Sequence, residues 1–113
     1  MLRPDEVFGD ILLTMNTYLA NLQTSEATKT YQKYGINYLG MFGSAARGED
    51  NKDSDIDLLV DFNKTKTLFD LADIQFYFEG LLSKKIDLVT RKSLKKQLEP
   101  YIKQDLVTIY EQN

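Results

Sequence analysis

The chain has 113 residues, 42% apolar and 27% charged, with a net charge of −3. That length and composition specify one folded domain with a modest core, exclude a disordered chain, and argue against a general duplex-binding protein. Cysteine and histidine are both absent, which excludes disulfides, zinc–thiolate sites, thiol nucleophiles and an imidazole base.

Pro4-Asp5-Glu6 reads as a helix opening, with proline early and acids in the first turn. Phe8, Ile11, Leu12, Met15, Tyr18, Leu19 and Leu22 then recur at helical spacing, which predicts a helix over about 4–22 with one face buried. Ser25 caps a shorter helix that stops near Tyr34, with Gly35 just past its end. Residues 1–34 are thus an N-terminal helical segment of a single domain spanning 1–113, whose core is 36–110.

Asn37–Phe42 is the first predicted strand, and Ser44–Arg47 begins a short helix after Gly43. Gly48–Ser54 is a polar loop, and Ile56–Phe62 a nearly continuous apolar strand interrupted by Asp57 and Asp61. Asn63–Thr67 is a turn. Leu71, Ile74, Phe78 and Leu81 place a helix over Leu68–Leu82, weakened by Gly80. Lys84–Thr90 is a third strand. The rest is predicted helical through Leu94, Leu98 and Ile102, with an apolar end at Leu106–Tyr110, where Tyr110 is open to exposure. The fold class is α/β (α+β): a small mixed sheet flanked by helices.

The chemistry concentrates in Met41–Phe62. A small-residue turn at Gly43-Ser44 can cradle phosphate oxygens with backbone N–H groups and a hydroxyl. Ten residues later come Asp55 and Asp57. At i and i+2 on a strand they point to one face, with Cα atoms roughly 6.6 Å apart, which suits shared ligation of a hard cation such as Mg²⁺. Asp57 lies between Ile56 and Leu58-Leu59-Val60, so its burial is expected, and a buried carboxylate needs a partner or a metal. Asp55 alone would read as a strand-start cap. Asp87, in Ile-Asp-Leu-Val, repeats the pattern; if its strand neighbours 56–62, three carboxylates converge. An ion pair of Asp87 with Lys85 or Arg91 is the structural alternative. Asp61 is roughly 13 Å along the strand from Asp57, too far to share its metal. Glu49, Asp50 and Asp53 read as solvated loop acids. Arg47 either contacts phosphate or clamps its loop onto an acid.

These residues resemble the nucleotidyltransferase superfamily that includes DNA polymerase beta. More closely, the chain resembles the minimal nucleotidyltransferases, the antitoxin partners of HEPT-domain toxins. The family pattern of Gly-Ser, ten residues and Asp-x-Asp falls on Gly43-Ser44 and Asp55-Ile56-Asp57, its third acid on Asp87, and its Ala-Arg-Gly on Ala46-Arg47-Gly48. The chain departs from many relatives at Ala45, where they carry arginine. The resemblance covers roughly residues 36–110. It implies transfer of AMP from ATP to a tyrosine of the cognate toxin. Gly43, Ser44 and Arg47 would then hold the nucleotide, and Asp55, Asp57 and Asp87 would serve as catalytic acids holding two Mg²⁺ ions.

Two rivals stand beside that expectation: a subunit of an antibiotic-modifying nucleotidyltransferase, and an antitoxin that works by occlusion without catalysis. So little chain encloses a nucleotide that a partner or second subunit is expected to complete the site. No apolar run approaches the ~20 residues of a membrane span, and the N-terminus lacks a signal-peptide pattern. A cytoplasmic protein without membrane or direct nucleic-acid contacts is expected. Residues 84–103 carry a net +5 against −8 elsewhere. That basic stretch reads either as a solvated helix face or as a surface for a nucleotide's phosphates or an acidic partner.

Overall fold

Short apolar runs between residues 36 and 111 build a four-stranded sheet, seen in a computed structural model that describes residues 17–49, 51 and 53–112. The strands are β1 (Ile36–Phe42), β2 (Ile56–Phe62), β3 (Ile86–Thr90) and β4 (Val107–Glu111), in the order β3-β2-β1-β4. β1 runs antiparallel to both β2 and β4, whereas β2 and β3 are parallel. The mixed sheet predicted from the sequence is therefore present. Most of the helix expected over 4–22 lies outside the described residues; its end, α1, is helical over 17–22.

A parallel pair needs a crossover long enough to return the chain, and α4 (Leu68–Leu82) supplies it. Its start is fixed by a reciprocal cap. The Asp70 N–H donates to Thr67 Oγ1 at 3.1 Å, and the Thr67 N–H donates to Asp70 Oδ2 at 3.0 Å. These bonds hold the Asp70 carboxyl below its ordinary pKa. Ile74, Phe78 and Leu82 form its buried stripe. Gly80 sits on the solvent side, and a Cβ added there would meet no atom within 4 Å. Gly80→Ala should therefore raise stability by about 0.5–1 kcal/mol, through the lower backbone entropy of the unfolded chain. Urea denaturation checks this, and an unchanged midpoint would contradict it.

α2 (Ser25–Tyr34) is capped one residue earlier than the sequence indicates: Thr24 Oγ1 accepts the Ala27 N–H at 3.0 Å. It ends at Gly35, whose φ of 73° is the left-handed conformation that lets its N–H reach the Gln32 and Tyr31 carbonyls. Tyr31 joins the elements. It is fully buried, its hydroxyl donates to the Leu22 carbonyl at 2.7 Å, and burial keeps the phenol protonated. Its ring packs 5.8 Å from Phe78 and 5.4 Å from Tyr110. Tyr110 is thus a partly buried neighbour of the core and not an exposed terminal residue.

The C-terminal segment departs from the helix read over it. Arg91–Ser93 form a single 3₁₀ turn, α5 is confined to Glu99–Asp105 with Pro100 in its first turn, and residues 107–111 are β4. Val107-Thr108-Ile109-Tyr110 is rich in β-branched and aromatic residues, and β1 offers it an open edge at Tyr38–Met41. Edge pairing overrides the helical spacing of the preceding leucines. One sheet face carries the core: Leu39, Met41, Ile56, Leu58, Val60 and Ile86 against Ile74, Phe78 and Leu82. The other presents Tyr38, Gly40 and Leu59. Gly40 is needed there because a Cβ would lie 2.7 Å from Leu106 Cδ1 and 2.8 Å from the Tyr38 hydroxyl. Among the described residues no helix is long and apolar enough to cross a membrane.

Candidate active site

β1 ends in extended backbone at Phe42, and the chain then turns at Gly43 with a φ of 73°. That left-handed conformation suits glycine and penalises any residue with a Cβ. α3 (Gly43–Ala46) follows, one residue longer at its start than the sequence indicates. The Arg47 N–H donates to the Gly43 carbonyl at 3.2 Å, and the Glu49 N–H to the Ser44 carbonyl at 2.8 Å, closing the turn. The first N–H groups of such a helix have no acceptor within it and face outward.

Antiparallel pairing sets what lies beside this turn. Phe42 at the end of β1 is opposite Asp57 at the start of β2. A Cβ built on Gly43 would collide with the Asp57 carboxylate at Oδ2. Parallel pairing then sets the next neighbour: Asp57 is in register with Asp87 of β3. Paired residues of adjacent strands share a face, so the turn and the two carboxylates form a row across three strands. The condition attached to Asp87, that its strand neighbours β2, is met.

The electrostatics of the row follow from that geometry. Asp57 is partly buried, not enclosed as the apolar strand implied, because it is the second residue of β2, at the open amino end of an interior strand. Its pKa is nevertheless pushed up to about 6, by desolvation first, then by the charge of Asp87 and a side-chain hydrogen bond with it, and last by the charge of Asp55; Arg47 opposes the shift. Asp87 is exposed, and neither Lys85 nor Arg91 forms a salt bridge with it among the described residues. Arg91 lies instead 3.7 Å from Asp61 and 4.0 Å over the Tyr38 ring. Asp55 is exposed, one residue before β2. Its charge is felt by Asp57, but among the described residues no three acids stand together closely enough to hold one ion.

Hard carboxylate oxygens suit Mg²⁺, and Asp57, whose charge is disfavoured by desolvation first and by Asp87 and Asp55 next, would gain from a cation as it does from a proton. Asp57 and Asp87, in register on adjacent strands, would be the nearest ligands.

Arg47 clamps. Its guanidinium donates to Glu49 Oε2 at 2.9 Å and to Asp105 Oδ2 at 2.7 Å, which ties the end of the turn to α5 and keeps the group firmly charged. Of the two roles open to Arg47 in the sequence, this arrangement displays the clamp. Glu49 is thereby a partner and not merely a solvated acid. Asp105 escaped sequence reading altogether: it is 58 residues from Arg47 and lies in a helix with no motif.

The nucleotidyltransferase domain family matches residues 23–109. A protein of Thermococcus cleftensis named protein adenylyltransferase MntA is 32% identical over 91 residues, covering 80% of this chain and 92% of its own length. A solved structure assigned as a minimal nucleotidyltransferase superposes with a TM-score of 0.63 at 35% identity, covering 71% of this chain and 82% of its own. The fold also matches a Shewanella oneidensis structure, a tri-AMPylated HEPN toxin in complex with an MNT antitoxin, with a TM-score of 0.59 at 16% identity, covering 89% of this chain and 72% of that one. The family match over most of the chain and the likeness to these relatives show that the chain belongs to the nucleotidyltransferase domain family, in its minimal nucleotidyltransferase branch.

Proposed function

We propose that the protein is an antitoxin that transfers AMP from ATP to a hydroxyl, a tyrosine side chain first among candidates, of a cognate HEPT-type toxin in the cytoplasm. The observation that carries this reading is the pairing of Asp57 with Asp87 beside the Gly43 turn. The MntA name of the Thermococcus relative and the AMPylated toxin of the Shewanella complex support the choice of nucleotide and acceptor.

Gly43 and Ser44 hold the outer phosphates of ATP with the outward N–H groups of the α3 turn and the Ser44 hydroxyl. Arg47 acts first as the clamp that keeps this turn against α5, and through its charge as a nearby attraction for phosphate. Asp55, Asp57 and Asp87 would hold Mg²⁺, two ions in this reading, which would supply charge neutralisation of the triphosphate. Asp87, on the open side of the row, faces the incoming hydroxyl and takes up its proton. The hydroxyl oxygen attacks the α-phosphorus in line, the bond to the β-phosphate oxygen breaks, and pyrophosphate leaves. Positioning and charge stabilisation account for the acceleration. The shallow site leaves the base and acceptor to be enclosed by the toxin or a second subunit.

The test is incubation with labelled ATP, Mg²⁺ and the product of the adjacent toxin gene. Label on the toxin and relief of its toxicity are expected. Relief without label would replace the enzymatic reading with occlusion, and label on an aminoglycoside instead would point to the antibiotic-type enzyme.

Asp87→Asn separates roles within the site. ATP affinity should stay within about threefold while transfer falls by about 10²-fold or more. Because Asp87 is exposed and faces another carboxylate, its neutralisation should not lower the melting temperature. Full transfer activity in this variant would remove the third carboxylate from the reaction.

A further inference from the structure

We propose that the cleft at the carboxyl ends of β2 and β3 is a second binding site, separate from the catalytic row, that takes a mononucleotide through its planar ring and its phosphate. β2 and β3 are the parallel pair here, and their carboxyl ends are Phe62 and Thr90. The catalytic acids lie at the opposite ends of the same strands. Five residues of strand separate Asp57 from Phe62, roughly 16 Å.

The cleft is an open-mouthed hollow of about 200 Å³. Its floor is apolar, formed by Phe62 and Leu71, and both side chains are only partly buried. Lys64, Lys66 and Lys92 surround it. The Lys66 ammonium stands 5.6 Å from the centroid of the Phe62 ring. Asp61 also lines the cleft, but its carboxylate is engaged by Arg91. Among the described residues no salt bridge occupies any of the three lysines.

Three like charges around one apolar hollow repel each other, and an anion in their midst reverses the sign of that interaction. The hollow selects among anions. Inorganic phosphate would satisfy the lysines and leave the Phe62 and Leu71 floor wet, whereas a nucleotide takes the place of the Lys66 ammonium over the Phe62 ring with its base and draws that ammonium to its phosphate at the rim. The Thr65 hydroxyl at the cleft wall can donate to a phosphate oxygen, and Thr90 Oγ1, which donates to Ser93 Oγ at 2.8 Å, can accept from a ribose hydroxyl.

The test uses the full chain, ¹⁵N-labelled, titrated with AMP in EDTA at low salt. Chelation silences any metal-dependent site, so this outcome is independent of the transfer assay. Amide shifts are expected at Phe62–Lys66, Thr90 and Lys92, with none at Gly43, Ser44, Asp57 or Asp87. The double variant Lys64→Glu/Lys92→Glu changes two exposed side chains. It should weaken AMP binding by about tenfold or more with an unchanged melting temperature. Inorganic phosphate should bind several-fold more weakly than AMP and leave the Phe62 amide unmoved. Shifts confined to the catalytic row, no shifts at all, AMP binding indifferent to the two lysines, or phosphate equal to AMP would each overturn the proposal.

Discussion

Asp57→Asn should reduce AMP transfer by at least about 10³-fold while making the metal-free protein more stable. The two effects have one origin. Asp57 is the carboxylate shared by both neighbours in the row: Gly43 abuts it on one side and Asp87 is in register on the other. An amide there keeps the shape and removes the charge that a cation or a proton must answer. The sign of the stability change follows from the raised pKa of about 6 against the ordinary 3.8. Below the ordinary value the aspartate is protonated in both states and folding gains nothing from the substitution. Between the two values the folded state holds a proton that the unfolded state has lost, so the stability from this group declines as pH rises. Above about 6 the folded protein carries the full repulsion. The advantage of Asp57→Asn should therefore be near zero at pH 4 and complete by pH 7. It should be on the order of 1 kcal/mol once solvent screening of a partly exposed group is allowed for. Mg²⁺ should stabilise the parent and not the variant. Thermal melts across that pH range, with and without Mg²⁺, measure all three outcomes. A variant that retains full transfer, or melts lower at pH 7, would show that the carboxylate is structural.

Gly43→Val should be the next most damaging substitution and should exceed Ser44→Ala by a wide margin. Valine at a φ of 73° is strained, at a cost of about 1–3 kcal/mol, and its Cβ falls on the Asp57 carboxylate. Relief requires moving either the phosphate-facing turn or the acid, so transfer should drop by about 10³-fold or more. Gly43→Ala carries the same first atom and should show most of this loss. Ser44→Ala removes one hydroxyl and leaves every backbone N–H in place, which predicts a loss of about 10²-fold. Steady-state kinetics of the three variants, each confirmed folded by its melt, gives the ranking. If Gly43→Val and Ser44→Ala proved equally harmless, the phosphates would be held elsewhere.

Family, sheet class and the composition of the candidate row were legible in the sequence because they depend on local spacing. Strand periodicity put Asp57 on the face opposite Ile56 and Leu58, although Asp55 falls one residue before β2, and glycine before serine marked a turn that needs positive φ; these properties are set by a few consecutive residues. The apolar run around Asp57 overstated its burial, because hydrophobic neighbours in sequence do not reveal that the residue sits at the open amino end of its strand. Tertiary structure alone decided which side chains meet. The parallel register that sets Asp87 beside Asp57 depends on how α4 returns the chain, and nothing within Ile86–Thr90 encodes it. The conversion of the last residues into β4 required the free edge of β1, a partner more than sixty residues away. The Arg47–Asp105 clamp likewise spans 58 residues. Local sequence fixes conformations through sterics and backbone hydrogen bonding over a few residues. Long-range pairing is settled by which edges and faces remain to be buried once the core has closed.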